Sequence, residues 1–361
     1  MKNLDFKIKK IAEIFDAKLI GNKEVKITGI SDIENAEKGD ITFLSNEKYK
    51  KYLDSTKASA VIINKEVELP NNSKLTFLIV KDSYSSFGLL LSEIEKLNIS
   101  KKIGIESPSH INENSKIGKN IYLGAFSYIG ENVVIGDNCK IYPYTYIGDN
   151  CKIGKNTIIY PGVKIYNSSK IGDKCIIHAN AVIGSDGFGF APLQDGSYSS
   201  IPQIGNVIIK NNVSIGSNTV IDRATLNSTI INEGVKLDNL IQIGHNVEIG
   251  ENTVIAAQTG ISGSTSIGKN SMMGGQVGIV GHLKMGDNIK YGAQSGVTKK
   301  MKGNQTVIGY PAMPKEKYIK SYIIFKKLPS IEEKIKKIEE KLYNLQSEWE
   351  IFKELLIRKG I

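Results

Sequence analysis

The sequence predicts a mainly β fold: a parallel β-helix of six-residue repeats, with a small α/β domain before it and α-helices after it. Aliphatic residues recur at every sixth position through most of residues 105–297, whereas residues 1–100 carry no such repeat. Apolar residues spaced alternately by four and three mark residues 331–356. We therefore divide the chain into domains of residues 1–100, 101–312 and 313–361.

The hexapeptide repeat runs without a slip over residues 105–183, and it resumes over 209–221 and 231–297, which makes 29 repeats. Side chains alternate along a strand, so one residue of each short strand can point inward. Glycine often follows that residue and turns the chain at little steric cost. Three such units form a coil of 18 residues, and one unit alone cannot bury its apolar side. The repeats therefore predict nine to ten stacked coils.

Three cysteines fall within this pattern. Cys139, Cys151 and Cys175 each lie four residues after an aliphatic repeat position. We expect them to be small interior residues rather than metal ligands or redox groups.

The first hundred residues contain patterns of both secondary-structure types. We predict helices over residues 6–15 and 83–97, and strands over 25–30, 60–63 and 75–80. This combination indicates a small α/β domain.

The C-terminal residues are predicted to be helical. Ser330 to Glu333 match a capping box after Pro329, which predicts that a helix begins there. The apolar seam fits a coiled coil, and we predict a homotrimer whose C-terminal helices associate. The seam consists of Ile331, Ile335, Ile338, Leu342, Leu345, Trp349, Phe352 and Leu356. Five lysines in residues 315–327 form either a docking face for an acidic partner or a solvated helix surface.

The formal net charge is +10. That charge favours nucleic acid, a phosphate-bearing substrate or an acidic protein as partner, although a generally lysine-rich composition would explain it equally well. The N-terminus lacks the apolar core of a signal peptide, and no apolar run is long enough for a transmembrane helix. We expect a cytoplasmic protein.

Two histidines and a glycine suggest catalytic chemistry. His282 lies 37 residues after His245, or two coils plus one residue, so both should lie on one edge of the β-helix. Gly263 lies 18 residues after His245, one coil above it. A base beside a bare backbone N–H suits acyl transfer, because the N–H can hold an oxyanion. Two surface histidines on a solenoid remain the alternative on spacing alone.

Other chemistries find less support. The spacing of His178, His245 and His282 does not place them on one edge, so we expect no metal site within one chain. The sequence has neither a Walker loop nor a GxSxG motif around a candidate serine. The glycine-rich segment 185–190 interrupts the repeat and is predicted to form a projecting loop.

Several motifs together resemble one family of hexapeptide acyltransferases. They are Ile41-Thr-Phe-Leu44, Ser185-Asp-Gly-Phe-Gly-Phe190, Ile201-Pro-Gln-Ile-Gly205, Thr219-Val-Ile-Asp-Arg223, Gly244-His-Asn246 and Ile308-Gly-Tyr-Pro-Ala312. The chain resembles the UDP-3-O-(3-hydroxyacyl)glucosamine N-acyltransferases of lipid A biosynthesis over nearly its whole length. The resemblance implies a left-handed β-helix. It also implies transfer of a 3-hydroxyacyl chain from acyl carrier protein to the 2-amino group of UDP-3-O-(3-hydroxyacyl)glucosamine, without a cofactor.

The resemblance also implies residue roles. His245 would be the general base and Gly263 the oxyanion donor, while Asp238 and His282 would contact the substrate near the reacting groups. A second group would bind uridine: Phe43 and Tyr49 around the base, with Asn46 at its edge. The acidic carrier would dock on the lysine-rich segment.

Three alternatives stay open at this point. The O-acyltransferase that acts earlier in the pathway lacks the N-terminal domain, so residues 1–100 argue against it. A coenzyme A-dependent acetyltransferase would need no large acyl groove. A non-catalytic β-solenoid scaffold would keep its function without His245. Acyl chain length and the choice between glucosamine and a diamino sugar are not decided by the sequence.

Overall fold

The computed structural model describes residues 2–70, 74–98, 102–309 and 313–358. The chain forms two compact units, Met1–Lys102 and Ile103–Ile361. Residues 310–312, the last three of the Ile308–Ala312 motif, lie outside the described residues.

The first unit is an α/β domain. Its elements are β1 Lys2–Lys7, α1 Ile8–Phe15, β2 Lys18–Ile20, β3 Lys26–Ile30, β4 Asp40–Leu44, a 3-10 helix Glu47–Tyr52, β5 Ala60–Asn64, β6 Thr76–Val80 and α2 Ser83–Asn98. The six strands form one sheet of order β1-β3-β4-β5-β6-β2. Strands β3 to β6 pair in parallel, and β1 and β2 pair antiparallel at the two edges.

The predicted strands over 25–30, 60–63 and 75–80 and the predicted helix over 83–97 are confirmed within a residue. The helix over 6–15 is wrong at its start, because β1 extends to Lys7. Phe6 is buried in that strand and pairs with Ile27 of β3. Tertiary pairing with β3 therefore overrides the helical spacing of the first two positions.

The second unit is a parallel β-helix with three faces. Within the described residues, the faces are parallel sheets of 11, 10 and 8 short strands. The first face consists of Gly104–Ile105, Tyr122–Leu123, Lys140–Ile141, Ile158–Ile159, Ile176–Ile177, Ser214–Ile215, Lys236–Leu237, Val254–Ile255, Met272–Met273, Lys290–Tyr291 and Thr306–Val307. The second face consists of His110–Ile111, Tyr128–Ile129, Tyr146–Ile147, Lys164–Ile165, Val182–Ser185, Val220–Asp222, Gln242–Ile243, Gly260–Ile261, Gly278–Ile279 and Gly296–Val297. The third face consists of Lys116–Ile117, Val134–Ile135, Lys152–Ile153, Lys170–Ile171, Asn206–Ile209, Ser228–Ile231, Glu248–Ile249 and Ser266–Ile267.

The repeat positions point into the coil as predicted, and most are fully buried. Ile105 is an exception at 57 % exposure, because it belongs to the first strand of the β-helix. Met285 is buried but belongs to no extended strand, since only Lys284 forms an isolated bridge, to Ser266. The first face continues beyond the last predicted repeat position, Val297, through Thr306–Val307, which lies within the predicted domain of residues 101–312.

The cysteines occupy the interior as predicted. Cys139, Cys151 and Cys175 are fully buried and free. Burial raises the pKa of the Cys151 and Cys175 thiols to about 11.

The predicted projecting loop is confirmed as an excursion from the β-helix. After Val182–Ser185 the chain forms an antiparallel hairpin of Phe190–Pro192 and Tyr198–Ser200 and then rejoins the third face. Phe188 and Tyr198 are largely exposed on it.

The C-terminal segment is one helix, α3, of residues Lys315–Arg358. The predicted helix start at Ser330 is wrong, because α3 passes through Pro329. The Ser330 hydroxyl does not cap a helix start; it donates to the backbone carbonyl of Lys327 one turn back. The seam residues whose exposure is described lie on the surface of the chain. Among the described residues, no helix has the length and apolar character needed to span a bilayer.

Candidate active site

A groove with a volume of about 1100 Å³ opens on the second face. It lies between the projecting hairpin and the turns that follow the second-face strands. Its lining includes Asp222, Gln242, His245, Gly263 and His282. The two histidines predicted to share an edge thus line one groove.

Local chain geometry fixes the position of His245. Ile243 points into the coil and is fully buried, and Gly244 follows it. A Cβ at Gly244 would lie 2.8 Å from the backbone nitrogen of Gly263, so only glycine fits there. Asn246 then takes the left-handed conformation with φ of 59° and completes the corner. His245 projects outward between these two residues and is half-buried.

The neighbouring amide of Asn246 orients the imidazole. His245 Nδ1 lies 3.1 Å from Asn246 Oδ1. The backbone N–H of Thr225 donates to the same Oδ1, and Asn246 Nδ2 donates to the carbonyl of Leu226. These two contacts fix which end of the amide is the acceptor, so Nδ1 carries the proton and Nε2 keeps its lone pair. His245 is therefore arranged as a base at Nε2.

Gly263 packs directly against that nitrogen. A Cβ at Gly263 would lie 2.5 Å from His245 Nε2, so any side chain would displace the ring. The Gly263 N–H donates no hydrogen bond within the part of the chain that the structure describes. A base and a free backbone donor thus lie side by side at one corner.

The projecting loop closes the other side of the histidine. A Cβ at Gly187 would lie 2.7 Å from the Cβ of His245. Phe188 and Phe190 of the same excursion line the groove. The loop therefore limits the positions open to the imidazole and adds apolar surface beside it.

A buried carboxyl lies near the base. Asp222 accepts a hydrogen bond from Gln242 Nε2 at 2.9 Å and one from the Ser185 hydroxyl at 3.3 Å. Burial raises the pKa of Asp222 above its ordinary value, against the lowering effect of these two bonds and of His245. This carboxyl is a second titratable group in the groove.

Three glycines form the floor of the groove beyond His245. Gly260, Gly278 and Gly296 are the outward residues of successive second-face strands, in register with one another. A Cβ at any of the three would meet no atom within 4 Å. They leave an open channel over three coils spaced by about 4.8 Å.

A separate cavity lies in the first unit. Phe43 and Tyr49 line a cavity of about 440 Å³ together with Asp32, Asn35 and other residues. Phe87 stacks on one face of Phe43, with ring centroids 4.2 Å apart, so only its other face remains for a ligand ring.

Asn46 precedes the 3-10 helix as its N-cap and is not among the residues that line this cavity, although its neighbour Ser45 is. Its Oδ1 accepts the backbone N–H of Lys48 and caps that helix. Its Nδ2 makes no hydrogen bond within the described residues, so a donor is left for a ligand.

The comparisons with known proteins agree with one another. The profile of UDP-3-O-(3-hydroxymyristoyl) glucosamine N-acyltransferase, LpxD, matches residues 24–92, and that of the bacterial transferase hexapeptide (six repeats) matches residues 108–149, 132–167, 150–185 and 228–263. A UDP-3-O-acylglucosamine N-acyltransferase of Cytophaga hutchinsonii is 56% identical over 95% of this chain and 98% of its own length. One from Bacteroides thetaiotaomicron is 53% identical over 98% of this chain and 99% of its own length.

The chain belongs to the UDP-3-O-acylglucosamine N-acyltransferase family. Among solved structures, an Arabidopsis UDP-N-acetylglucosamine acyltransferase matches with a TM-score of 0.52 and 23% identity, over 57% of this chain and 71% of that one. This likeness shows a shared fold.

In this member of the N-acyltransferase family, Asp238 lies apart from His245 within the chain. Asp238 follows the first-face strand Lys236–Leu237 and lines a shallow groove with Met272 and Tyr291. Its carboxylate accepts the backbone N–H groups of Asn239 and Ala257. His282, by contrast, is exposed at the corner above Gly263. Its backbone N–H donates to the backbone carbonyl of Gly263.

Two site residues of this acyltransferase were missed from the sequence alone. Asn246 was visible in the Gly244-His-Asn246 motif, but its role depends on Thr225 and Leu226, which are brought close by coiling. Asp222 also lay in a quoted motif, and only its burial beside Gln242 distinguishes it. Among the described residues, no group of three or more His, Cys, Asp and Glu side chains is arranged to hold a metal ion.

Proposed function

We propose that this protein transfers a 3-hydroxyacyl chain from acyl carrier protein to the 2-amino group of UDP-3-O-(3-hydroxyacyl)glucosamine. The observation that supports this most strongly is the pairing of His245 Nε2, free to accept a proton, with the uncapped N–H of Gly263. Both are required by an amine that attacks a thioester, and both line the groove.

The reaction needs no covalent enzyme intermediate, because a thioester is already activated. The 2-amino nitrogen attacks the thioester carbon and forms the new C–N bond, while His245 Nε2 takes the proton that the nitrogen gives up. The Gly263 N–H donates to the oxyanion of the tetrahedral intermediate. The C–S bond then breaks, and the departing sulfur receives the proton from His245. The amide and the free carrier thiol are the products.

The channel over Gly260, Gly278 and Gly296 suits the acyl chain of the donor. It begins beside the base and is bounded by the backbone of the strands, including that of Ile261, Ile279 and Val297, whose side chains point into the coil. Burial of each methylene contributes about 0.8 kcal/mol, so a long chain gains much of its affinity there.

Uridine would bind in the first unit. Phe43 offers one ring face and Tyr49 is 40 % exposed beside the same cavity. Stacking of one base on an aromatic ring contributes about 1–3 kcal/mol. The free Nδ2 of Asn46 would donate to a carbonyl at the edge of uracil.

A homotrimer would complete the site. Asp238 and His245 follow different faces of one chain, so a substrate that touches both needs the first face of one copy beside the second face of another. His282 and the neighbour's copy of Asp238 would then contact the sugar.

The carrier protein would dock on α3. Lys315, Lys317, Lys320, Lys326 and Lys327 are exposed on the first turns of that helix, and acyl carrier protein is acidic. We place the enzyme in the cytoplasm, where the nucleotide sugar and the carrier occur.

Purified protein should be incubated with UDP-3-O-acyl-glucosamine and a panel of 3-hydroxyacyl carrier-protein thioesters. We expect amide formation that falls by about 10²–10⁴-fold in His245→Ala. His178→Ala is the matched control, because His178 stacks on Tyr160 on the first face and lies outside the groove.

Three results would contradict the proposal. Transfer to a sugar hydroxyl would indicate the O-acyltransferase, and a preference for acetyl-coenzyme A would indicate an acetyltransferase. Ligand binding without turnover, and unchanged in His245→Ala, would indicate a scaffold.

A further inference from the structure

A capping arrangement recurs in six turns of this β-helix and is absent from others, among them the turn at Gly263. In six turns, the N–H of the second residue after the inward aliphatic residue donates to a side-chain Oδ1 of Asp or Asn from the next coil, at 2.7–2.9 Å. The donor and acceptor pairs are Lys119 with Asp137, Glu131 with Asp149, Lys155 with Asp173, Asp173 with Asn211, Ser217 with Asn239, and Lys269 with Asp287.

Gly263 occupies this turn position, and the residue that would cap it is Gly281. Ile261 pairs with Ile279, so the two glycines are in the same register as the six capped pairs. Gly281 has no side chain to offer an acceptor, and the Gly263 N–H donates no hydrogen bond within the described residues. Gly263 is half-buried and lines the groove, so its N–H is open to a ligand bound there.

Backbone strain does not explain the glycine at 281. Gly281 does not have a positive φ, so its backbone conformation is open to residues with a side chain. A Cβ would come within 3.1 Å of the Gly263 carbonyl oxygen, which demands only a small shift. Asp or Asn therefore fits sterically at position 281, as it does in the six capped turns.

We propose that Gly281 is a positioning residue that leaves the oxyanion donor of the reaction uncapped. An Asp or Asn at 281 would accept the Gly263 N–H and occupy it before the substrate arrives. This inference rests on the proposed function, in which Gly263 N–H holds the oxyanion.

The test compares four full-length proteins: wild type, Gly281→Asn, Gly281→Leu and Ala293→Asn. Asparagine and leucine have similar size, but only asparagine carries an acceptor. Ala293 is exposed and holds the equivalent position above Gly275 on the first face, so Ala293→Asn adds the same cap outside the groove. Steady-state kinetics and amide hydrogen exchange at Gly263 are measured for each.

Loss of one oxyanion donor lowers kcat by about 10²–10³-fold, and we expect that loss in Gly281→Asn with KM for both substrates close to wild type. Gly281→Leu should raise KM for the acyl donor through crowding, with kcat at least about tenfold above that of the asparagine variant. Exchange at the Gly263 amide should slow in Gly281→Asn alone. Ala293→Asn should keep wild-type kinetics.

Equal kcat in the asparagine and leucine variants would overturn the inference, because bulk rather than capping would then explain the loss. Unchanged exchange at Gly263 in Gly281→Asn would overturn it as well. Wild-type protein without N-acyl transfer would instead reject the proposed function, while the exchange comparison would still decide whether Gly281 leaves this N–H uncapped.

Discussion

The imidazole of His245 depends on residues that never meet the substrate in the proposed mechanism. Asn246 Oδ1 accepts the hydrogen bond of His245 Nδ1. The Thr225 N–H and the Leu226 carbonyl hold the Asn246 amide in that orientation. Gly263 and Gly187 pack against the ring and its Cβ. These contacts hold the imidazole in one orientation, which suits the proposed role of His245 as the base.

Replacement of Asn246 by alanine removes the acceptor at Nδ1 and leaves both tautomers open. Because general base catalysis contributes about 10²–10⁴-fold, we expect kcat to fall by at least about tenfold. Asn246→Asp keeps an oxygen facing Nδ1 and should retain more of the rate. Steady-state kinetics of the two variants check this, and equal rates in Asn246→Ala and wild type would contradict it.

Asp222 should make stability depend on pH. Its folded pKa is raised by burial, so its contribution favours the folded state when the carboxyl is protonated and is lost as pH rises through the folded pKa. Asp222→Asn should therefore raise the melting temperature at pH 7 relative to wild type. This difference in melting temperature should shrink when the pH is below the ordinary aspartate pKa. Thermal melts of both proteins at pH 7 and below that pKa measure it. A difference that does not depend on pH would contradict this account.

At the scale of elements, the sequence predicted the β-helix well because each coil repeats the same local rule. An inward aliphatic residue, a turn and a polar corner recur. The pairing registers follow the 18-residue coil except at the insertions and at the last first-face pair, Lys290 with Thr306. Two element boundaries were wrong for a different reason. Strand β1 depends on pairing with β3, and α3 continues through Pro329, and neither can be read from local spacing.

The channel of outward glycines should set the acyl chain length. Leucine at Gly296 would fill the channel at its far end, where a Cβ meets open space at present. We expect Gly296→Leu to shift preference to shorter 3-hydroxyacyl donors, with kcat/KM for the longest accepted chain reduced at least about tenfold, since each excluded methylene costs about 0.8 kcal/mol.

Competition between donors of different length measures this shift, and turnover of short donors is the internal control. Unaltered preference would show that the chain lies elsewhere.

At the scale of the whole molecule, the apolar seam of α3 is largely exposed where the structure describes its side chains. Ile338 and Leu345 are more than 60 % exposed, although such residues favour burial. Three copies of the helix would cover the seam, in keeping with the proposed trimer.

Lysines at two seam positions should dissociate the assembly. In Ile338→Lys with Leu345→Lys, like charges from three copies would meet in the seam. We expect a smaller species in sedimentation at micromolar concentration. Asn344→Lys with Ser347→Lys adds the same charge off the seam and should remain trimeric. A wild-type monomer would contradict the prediction.

The sequence predicted that His245 and Gly263 lie together, as the structure has them, but it did not predict the contacts that hold His245 in place. His245 and Gly263 are related by one coil length, which is visible in the numbering. Asp222 and the Phe87 that covers Phe43 depend on burial and on packing between elements far apart in sequence. The roles of Phe43, Asn46, Tyr49, Asp238 and His282 remain predictions.

The glycines at 260, 278 and 296 mean that the open channel beside His245 exists because side chains are absent there. Every glycine codon is one base away from a codon for a larger residue, so single-base substitutions can fill this space. The backbone and the buried aliphatic positions would stay as they are. Under the proposed function, the length of the transferred acyl chain would therefore be open to change by single-base substitution, with little cost to the fold.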